Sequence, residues 1–402
     1  MNIILFDDPA LRANLLPFTY TRPVADIRVG ILTIAEKWGH LTGEVVSFLT
    51  QDYLQPKYPQ SPCTNTNLYV NGAICPTRAL VEQVRQLQAG QALYQDDVLV
   101  ALNIDSIEVR SVAELLQYNV RQSTLELPPL TVVRYPWDIF SLNGEQIKAD
   151  YALLTADRAS QPIGDPHTIV YAPENVFLEK GAKVKAAILN AENGPIYLGK
   201  NAEVQEGAII RGPFALGEGS VVNVGGKMRG NISVGPFCKV GGEMNASVFF
   251  GYSNKGHEGF LGNSVVGEWC NFGADTNTSN LKNNYASVKV WSPAQNQLVD
   301  TSLQFCGLLM ADHAKCGINT MFNTGTVVGV GANIFGAGFP AKYVPPFTWG
   351  GVEESETFQL QKFFEVTMRV YSRRNLPLTA VEREMLTRVF ELTKAARTWE
   401  QP

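Results

Sequence analysis

The stretch Leu198-Gly199-Lys200-Asn201-Ala202-Glu203-Val204-Gln205-Glu206-Gly207-Ala208-Ile209-Ile210 decides the fold, because its apolar residues recur every six positions. Extended outward, Leu198, Val204, Ile210, Leu216, Val222, Met228, Val234 and Val240 keep that interval, and all are apolar. Met310, Cys316, Phe322, Val328 and Ile334 repeat it further on. A step of six matches neither the 3.6 of a helix nor the 2 of an ordinary strand. It fits a β-solenoid in which each short strand supplies one inward residue and three strands close a triangular coil of about eighteen residues. Glycine follows the inward residue at Gly199, Gly217, Gly235, Gly241 and Gly329 and permits tight corners. A Gly/Val-rich β-sandwich would have no reason to keep eight apolar positions in one register.

The solenoid spans roughly 165–345 of the 402 residues, so other domains flank it. Apolar residues are 45% and charged residues 18% of the chain, as in ordinary folded proteins. A net charge of −5 without long basic runs argues against nucleic acid or an anionic membrane as partner. The opening Ile3-Ile4-Leu5-Phe6 is too short for a signal peptide and runs into Asp7-Asp8. No segment approaches the apolar length of a bilayer span. The six cysteines form no CxxC pair, and a cytoplasmic protein with reduced thiols is expected.

Residues 1–155 have another texture. Strand-like runs at Ile3–Phe6, Val45–Leu49, Leu68–Val70 and Val98–Leu102 alternate with helical stretches near Ile31–Trp38 and Thr77–Gln88. That alternation predicts an α/β domain, Rossmann-like, with a largely parallel sheet. In residues 353–402, Leu360, Phe363, Phe364, Thr367, Val370 and Tyr371 form one helical stripe, and a second helix begins at Thr379-Ala380-Val381-Glu382. The six-residue rhythm fails at 245–260 and again at 279–302. Insertions in a solenoid leave as loops, where function concentrates.

The densest polar sequence falls at the first failure: Ser253-Asn254-Lys255-Gly256-His257-Glu258-Gly259-Phe260-Leu261-Gly262, then Cys270-Asn271-Phe272-Gly273-Ala274-Asp275 and Thr278-Ser279-Asn280. His257 is one of four histidines and sits between glycines. An imidazole with an ordinary pKa near 6.5 can take a proton from an attacking amine at neutral pH. Read from composition alone, it is an ordinary surface-loop histidine.

This pattern resembles the acetyltransferase half of the bifunctional UDP-N-acetylglucosamine pyrophosphorylase/glucosamine-1-phosphate N-acetyltransferase family, which joins a sugar nucleotidyltransferase domain to a left-handed β-helix of hexapeptide repeats. The resemblance implies that His257 is the general base that deprotonates the amine of glucosamine-1-phosphate for attack on acetyl-CoA. It implies sugar contacts from Asn271 and Asn280, and a backbone near the thioester at Ala274. It further implies a homotrimer. Phe260 and Leu281 stand where the family has tyrosines, and the arginine expected after Gly212-Pro213-Phe214-Ala215 is missing. Lys227 and Arg229 are the candidate cations for a sugar phosphate, and Lys255 is a further substrate-binding candidate. His313, within Ala311-Asp312-His313-Ala314-Lys315, is either a ligand contact or a coil corner.

The segment Arg12-Ala13-Asn14-Leu15-Leu16-Pro17-Phe18-Thr19-Tyr20-Thr21-Arg22-Pro23 resembles the sugar nucleotidyltransferase signature. By that resemblance Arg12 and Arg22 hold a triphosphate, with Asn71-Gly72 nearby, and Asp7, Asp8 or Asp138 helps hold Mg²⁺. The loop 7–12 has no glycine, no lysine follows Arg22-Pro23, and Ala73 replaces a metal-binding aspartate. The run Pro136-Trp137-Asp138-Ile139-Phe140 and Asn143 resembles a shortened bacterial branch of the same enzymes. The leading expectation is nucleotidyl transfer from UTP to a sugar 1-phosphate together with acetyl-CoA-dependent N-acetylation. Two alternatives stand beside it: a nucleotidyltransferase alone, such as a glucose-1-phosphate thymidylyltransferase with the coil as scaffold, and a non-catalytic sugar-phosphate-binding protein.

Overall fold

The computed structural model describes residues 2–400 apart from 97, 124, 126 and 127. The chain divides into two compact units: Met1–Ile27 with Leu32–Tyr135 and Ala380–Leu386, and Arg28–Ile31 with Pro136–Thr379 and Thr387–Pro402. The unit that holds the solenoid thus takes in the segment 136–155, ahead of the first coil.

In the first unit a six-stranded sheet forms the core. Asn2–Phe6 pairs in parallel with Val46–Leu49 and with Asn67–Asn71. Beyond them the sheet turns antiparallel through Val98–Ile104 and Gln91–Gln95. The parallel sheet expected from the sequence is therefore a mixed one. Gln95 and Val98 are too close in sequence for the crossover of a dozen or more residues that a parallel pair requires. The helices are α1 (Pro9–Asn14), α2 (Ile34–Thr42), α3 (Arg78–Arg85) and α4 (Val112–Leu116). Thr33 and Glu36 form a capping box on α2, and Thr77 caps α3, whose Leu80, Val81 and Val84 are buried.

The second unit opens with α5 (Pro136–Thr155), which packs on coil strands Phe214–Leu216, Ile232–Val234, Val248–Gly251 and Val265–Glu268. Buried Asn143 fixes it: the side-chain oxygen accepts from Gly30 N–H at 2.7 Å and Ser233 Oγ at 2.9 Å, and the amide nitrogen donates to the Asn231 carbonyl. The coil itself is a parallel β-solenoid with three faces. One face has nine strands, with Leu178, Leu198, Leu216, Val234, Phe249, Val266, Met310, Val328 and Val344 inward. The next has ten strands, and its inward column runs Val184, Val204, Val222, Val240, Lys255, Phe272, Cys316 and Ile334. The third has six strands, with Leu189, Ile210, Met228, Met244 and Leu261 inside. Each inward aliphatic side chain contributes about 1.5–3 kcal/mol by leaving water, and each coil covers the open end of the one before it.

The two breaks in the rhythm have different origins. Across 245–260 the coil never stops; it shortens. Val234 pairs with Phe249 and Val240 with Lys255 after fifteen residues, and Met244 pairs with Leu261 after seventeen. Corners have lost residues, so the expected looped-out insertion is replaced by tighter turns and a short corner at 256–259. The second break is a true excursion. Val266 pairs with Met310 and Phe272 with Cys316, while Lys289–Ser292 and Gln297–Asp300 form an antiparallel hairpin outside the coil.

The tail forms α6 (Leu360–Ser372) and α7 (Ala380–Leu392). The expected stripe is the buried face of α6: Phe363 packs on Phe347 and Phe358, and Tyr371 stacks on Trp269 with ring centres 4.1 Å apart. Among the described residues no helix is long and apolar enough to cross a membrane.

Candidate active site on the solenoid

A cavity of about 850 Å³ lies on the outer surface of the ten-stranded face. Its floor is an outward-pointing column, Lys239, Asn254, Asn271 and Lys315, one residue from each successive coil. Residues that follow these strands form one end: Gly256, His257, Gly273 and Ala274. Residues that precede them, Tyr252 and Trp269, form the other end together with Val370, Arg373 and Arg374. The folding reason is direct. Parallel strands in register stack equivalent positions, so residues scattered from 239 to 318 converge on one surface.

The corner carrying His257 is held from three directions. Lys255 occupies an inward position that is otherwise apolar and is 1% exposed. Its ammonium donates to the His257 carbonyl at 2.7 Å and to the Glu258 carbonyl at 3.0 Å. Burial pushes the Lys255 pKa down to about 8, with the Glu258 charge opposing the shift. Asn223 Nδ2 donates to the Gly256 carbonyl at 2.8 Å. Gly259 has φ +112°, and a β-carbon there would come within 2.1 Å of the Thr276 carbonyl oxygen, so only glycine fits. The His257 side chain is exposed and borders the cavity.

Of the sequence candidates, His257, Asn271 and Ala274 come together here. The Ala274 carbonyl accepts from Asn319 N–H, which fixes that backbone. Asn280 is elsewhere, donating to Asn263 Oδ1 at 2.9 Å. Lys227 and Arg229 project from the six-stranded face, paired with Glu258 at 3.2 Å and Glu243 at 2.8 Å. Lys255 faces the interior, bonded to the backbone of the corner, and does not line the cavity. His313 is a coil corner: φ is +63°, it is 5% exposed, and its ring lies against Phe363 and Tyr371 of α6.

Sequence reasoning missed Asn254, Lys239, Lys315, Arg373 and Arg374. Asn254 Oδ1 is buried without a hydrogen-bond partner, an acceptor that costs free energy until a donor arrives. The Lys315 ammonium donates to the His313 carbonyl at 2.9 Å, and burial pushes its pKa down to about 8. A sign was present in the sequence: Lys239, Asn254, Asn271 and Lys315 each precede an inward residue by one position, which places them on the outer surface of one face.

In the first unit, the candidate phosphate and metal residues are engaged internally. Asp7 Oδ1 accepts from Val24 N–H at 2.8 Å and Oδ2 from Thr50 Oγ1 at 2.5 Å. Burial pushes the Asp7 carboxyl up to about 6 despite these bonds and the nearby Arg12. Asp8 caps α1 through Ala10 and Leu11 N–H, and Asp138 lies in the first turn of α5 in the other unit. Arg12 donates to the Thr19 carbonyl and to Tyr53 Oη, both at 2.8 Å. Arg22 is 2% exposed and pairs with Asp26 at 3.3 Å. Asn71 accepts from Ala73 N–H and donates to the Leu99 carbonyl, and Gly72 N–H donates to the Phe6 carbonyl. Among the described residues no cluster of three His, Cys, Asp or Glu could hold a metal ion. Mg²⁺ held together with substrate phosphates needs only one or two carboxylates, and Asp7 and Asp8 are the candidates within this unit.

Residues 3–159 match the family model described as sugar nucleotidyl transferase, so the chain carries a sugar nucleotidyltransferase domain followed by a β-solenoid. A curated relative, the bifunctional protein GlmU of Methanocaldococcus jannaschii, is 36% identical over 87 residues, which are 22% of this chain. The match spans 21% of that relative's length. Among solved structures, UDP-N-acetylglucosamine acyltransferase from Campylobacter jejuni is 15% identical, with 59% of this chain and 84% of that chain covered and a TM-score of 0.31. AntD, an N-acyltransferase from Bacillus cereus, is 13% identical, with 51% and 90% covered and a TM-score of 0.23.

Proposed function

We propose that the solenoid transfers an acetyl group from acetyl-CoA to the amine of an amino-sugar phosphate, with glucosamine-1-phosphate as the first substrate to test. The observation that carries this reading is the meeting of His257, Asn271, Ala274 and the unsatisfied Asn254 oxygen around one cavity. The substrate attacks as the free amine, and His257 takes a proton from that nitrogen as it bonds to the thioester carbonyl. The carbon–sulfur bond then breaks, and the coenzyme A sulfur leaves as a thiol with the proton returned by His257. General-base action of this kind contributes about 10²–10⁴-fold. Asn254 and Asn271 offer amide groups to sugar hydroxyls and to the amine, and the Lys255 anchor keeps the imidazole corner in place.

The nucleotidyltransferase domain would carry the companion step, transfer from UTP to a sugar 1-phosphate. A second reading has a specific observation in its favour: Asp7, Arg12, Arg22 and Asn71 all make internal bonds, although the buried Arg12 Nε is left without a hydrogen-bond partner among the described residues. On that reading the domain binds a sugar nucleotide without turnover. A homotrimer, cytoplasmic location and Mg²⁺ dependence belong to the same proposal. The test is product analysis by mass spectrometry after incubation with acetyl-CoA, glucosamine-1-phosphate, UTP and Mg²⁺. N-acetylglucosamine-1-phosphate supports the solenoid reading, and a UDP-sugar supports the bifunctional one. No acetylated product from any amino-sugar phosphate would overturn the first, and absence of pyrophosphate favours binding without turnover.

A further inference from the structure

Lys227 and Arg229, the cations that the sequence offers for a phosphate, lie on another face and are paired with carboxylates. The cavity has its own set. Lys239 and Lys315 come from the floor, and Arg373 and Arg374 from the C-terminal end of α6. Among the described lining residues there is no aspartate or glutamate, in a chain whose net charge is −5. Lys239 and Arg373 are exposed, and no carboxylate is paired with either among the described residues. Arg374 Nη2 donates to the Phe237 carbonyl at 2.8 Å, and Tyr371 stacks on Trp269, so the end of α6 is fixed to the coil.

Like charges gathered in a concave site whose lining holds no acid raise the local potential and favour an anion, and the four cations here outnumber Glu218 and Glu268, whose charges reach Tyr252 at this end. From these observations we infer that Lys239, Arg373 and Arg374 form a phosphate-binding subsite at the Trp269 end of the cavity, and that its ligand is an organic diphosphate. This deepens the acyl-transfer reading by dividing the cavity into a reacting end and an anchoring end. The Trp269 and Ala274 corners are separated by the width of one coil face, on the order of 10–15 Å. A ligand anchored at the arginines therefore reaches His257 through an arm, with its diphosphate remote from the reacting atoms. Two compounds share this chemistry: coenzyme A, through its pantetheine arm, and a nucleoside diphosphate sugar, through its sugar ring. The guanidinium of an arginine suits paired phosphate oxygens better than a lysine does, because its donors form a planar fork.

Isothermal titration of the full-length protein with coenzyme A and, separately, with UDP decides the matter. The wild type should bind at least one of the two, more weakly as salt rises. Lys239→Ala and Arg373→Ala should each lose about tenfold or more in affinity, and Arg373→Glu should abolish binding. Both side chains are exposed, so unchanged thermal melting will separate lost binding from lost folding. Coenzyme A as sole binder assigns the subsite to the acyl donor, and UDP as sole binder assigns it to a nucleoside diphosphate amino sugar as acceptor in place of the sugar 1-phosphate; either supports the inference. Wild-type affinity in Arg373→Glu, or no binding of either probe to the wild type, overturns it. Cation-dependent binding without thiol release from acetyl-CoA would remove the acyl-transfer reading and leave the subsite standing. Thiol release unaffected by Arg373→Glu would do the reverse.

Discussion

The buried ammonium of Lys255 donates to the carbonyl of His257 at 2.7 Å, from an inward position that neighbouring coils fill with Val240 and Phe272. A charged group in an apolar column is unfavourable unless it is paired and bonded. Here its bonds go to the backbone of the corner that presents the imidazole. Lys255→Met should keep the fold, since replacing a buried charge by an apolar group of similar length is often neutral or stabilising. Acetyl transfer should fall on the order of 10²-fold through misplacement of the base, in kcat more than in KM. Unchanged kcat in a folded Lys255→Met protein would refute the positioning role.

Gly259 shares the same corner and admits no side chain. Gly259→Ala should cost several kcal/mol, since it combines a strained backbone with a clash against the Thr276 carbonyl. Chemical denaturation would report the loss, and wild-type stability would contradict the geometry.

Much of the fold was legible because the solenoid writes one inward residue per strand into the sequence. Its shortened coils were not. Once corners lose residues, Met244, Phe249 and Lys255 leave the six-residue register although their side chains keep the inward direction. A lysine inside the coil reads as a surface residue until its bonds are seen. His257, Asn271 and Ala274 could be found through the family resemblance that their local sequence carries. Arg373 and Arg374 could not, because more than a hundred residues separate them from the corner they complete. The mixed sheet of the first unit was hidden for a related reason: strand spacing suggests a crossover only where enough chain lies between strands.

Asp7 makes stability depend on pH in a known direction. Its folded pKa, about 6, lies above the ordinary carboxylate value, so the folded state binds more protons between roughly pH 4 and 6. The contribution of Asp7 therefore falls as pH rises through that window, by ~3 kcal/mol. Asp7→Asn removes this slope and should be at least as stable as the wild type at pH 7.5. Melting curves across pH 4–8 test it; a variant less stable at pH 7.5 with an unchanged slope would contradict the assignment.

Lys315 also has a depressed pKa, about 8, caused by burial. An anion in the cavity would favour its charged form, so binding near pH 8 should take up a fraction of a proton. Calorimetry in buffers of different ionisation enthalpy measures that uptake directly. Equal apparent enthalpies in all buffers would argue against Lys315 facing the bound anion.

The central claim is that the solenoid is an acyltransferase with His257 as its base. Its most direct test is thiol release from acetyl-CoA with glucosamine-1-phosphate, comparing wild type and His257→Ala. The account predicts steady release by the wild type and a loss of about 10²–10⁴-fold in kcat for the variant, with the affinity for coenzyme A retained. Full activity in His257→Ala would contradict it.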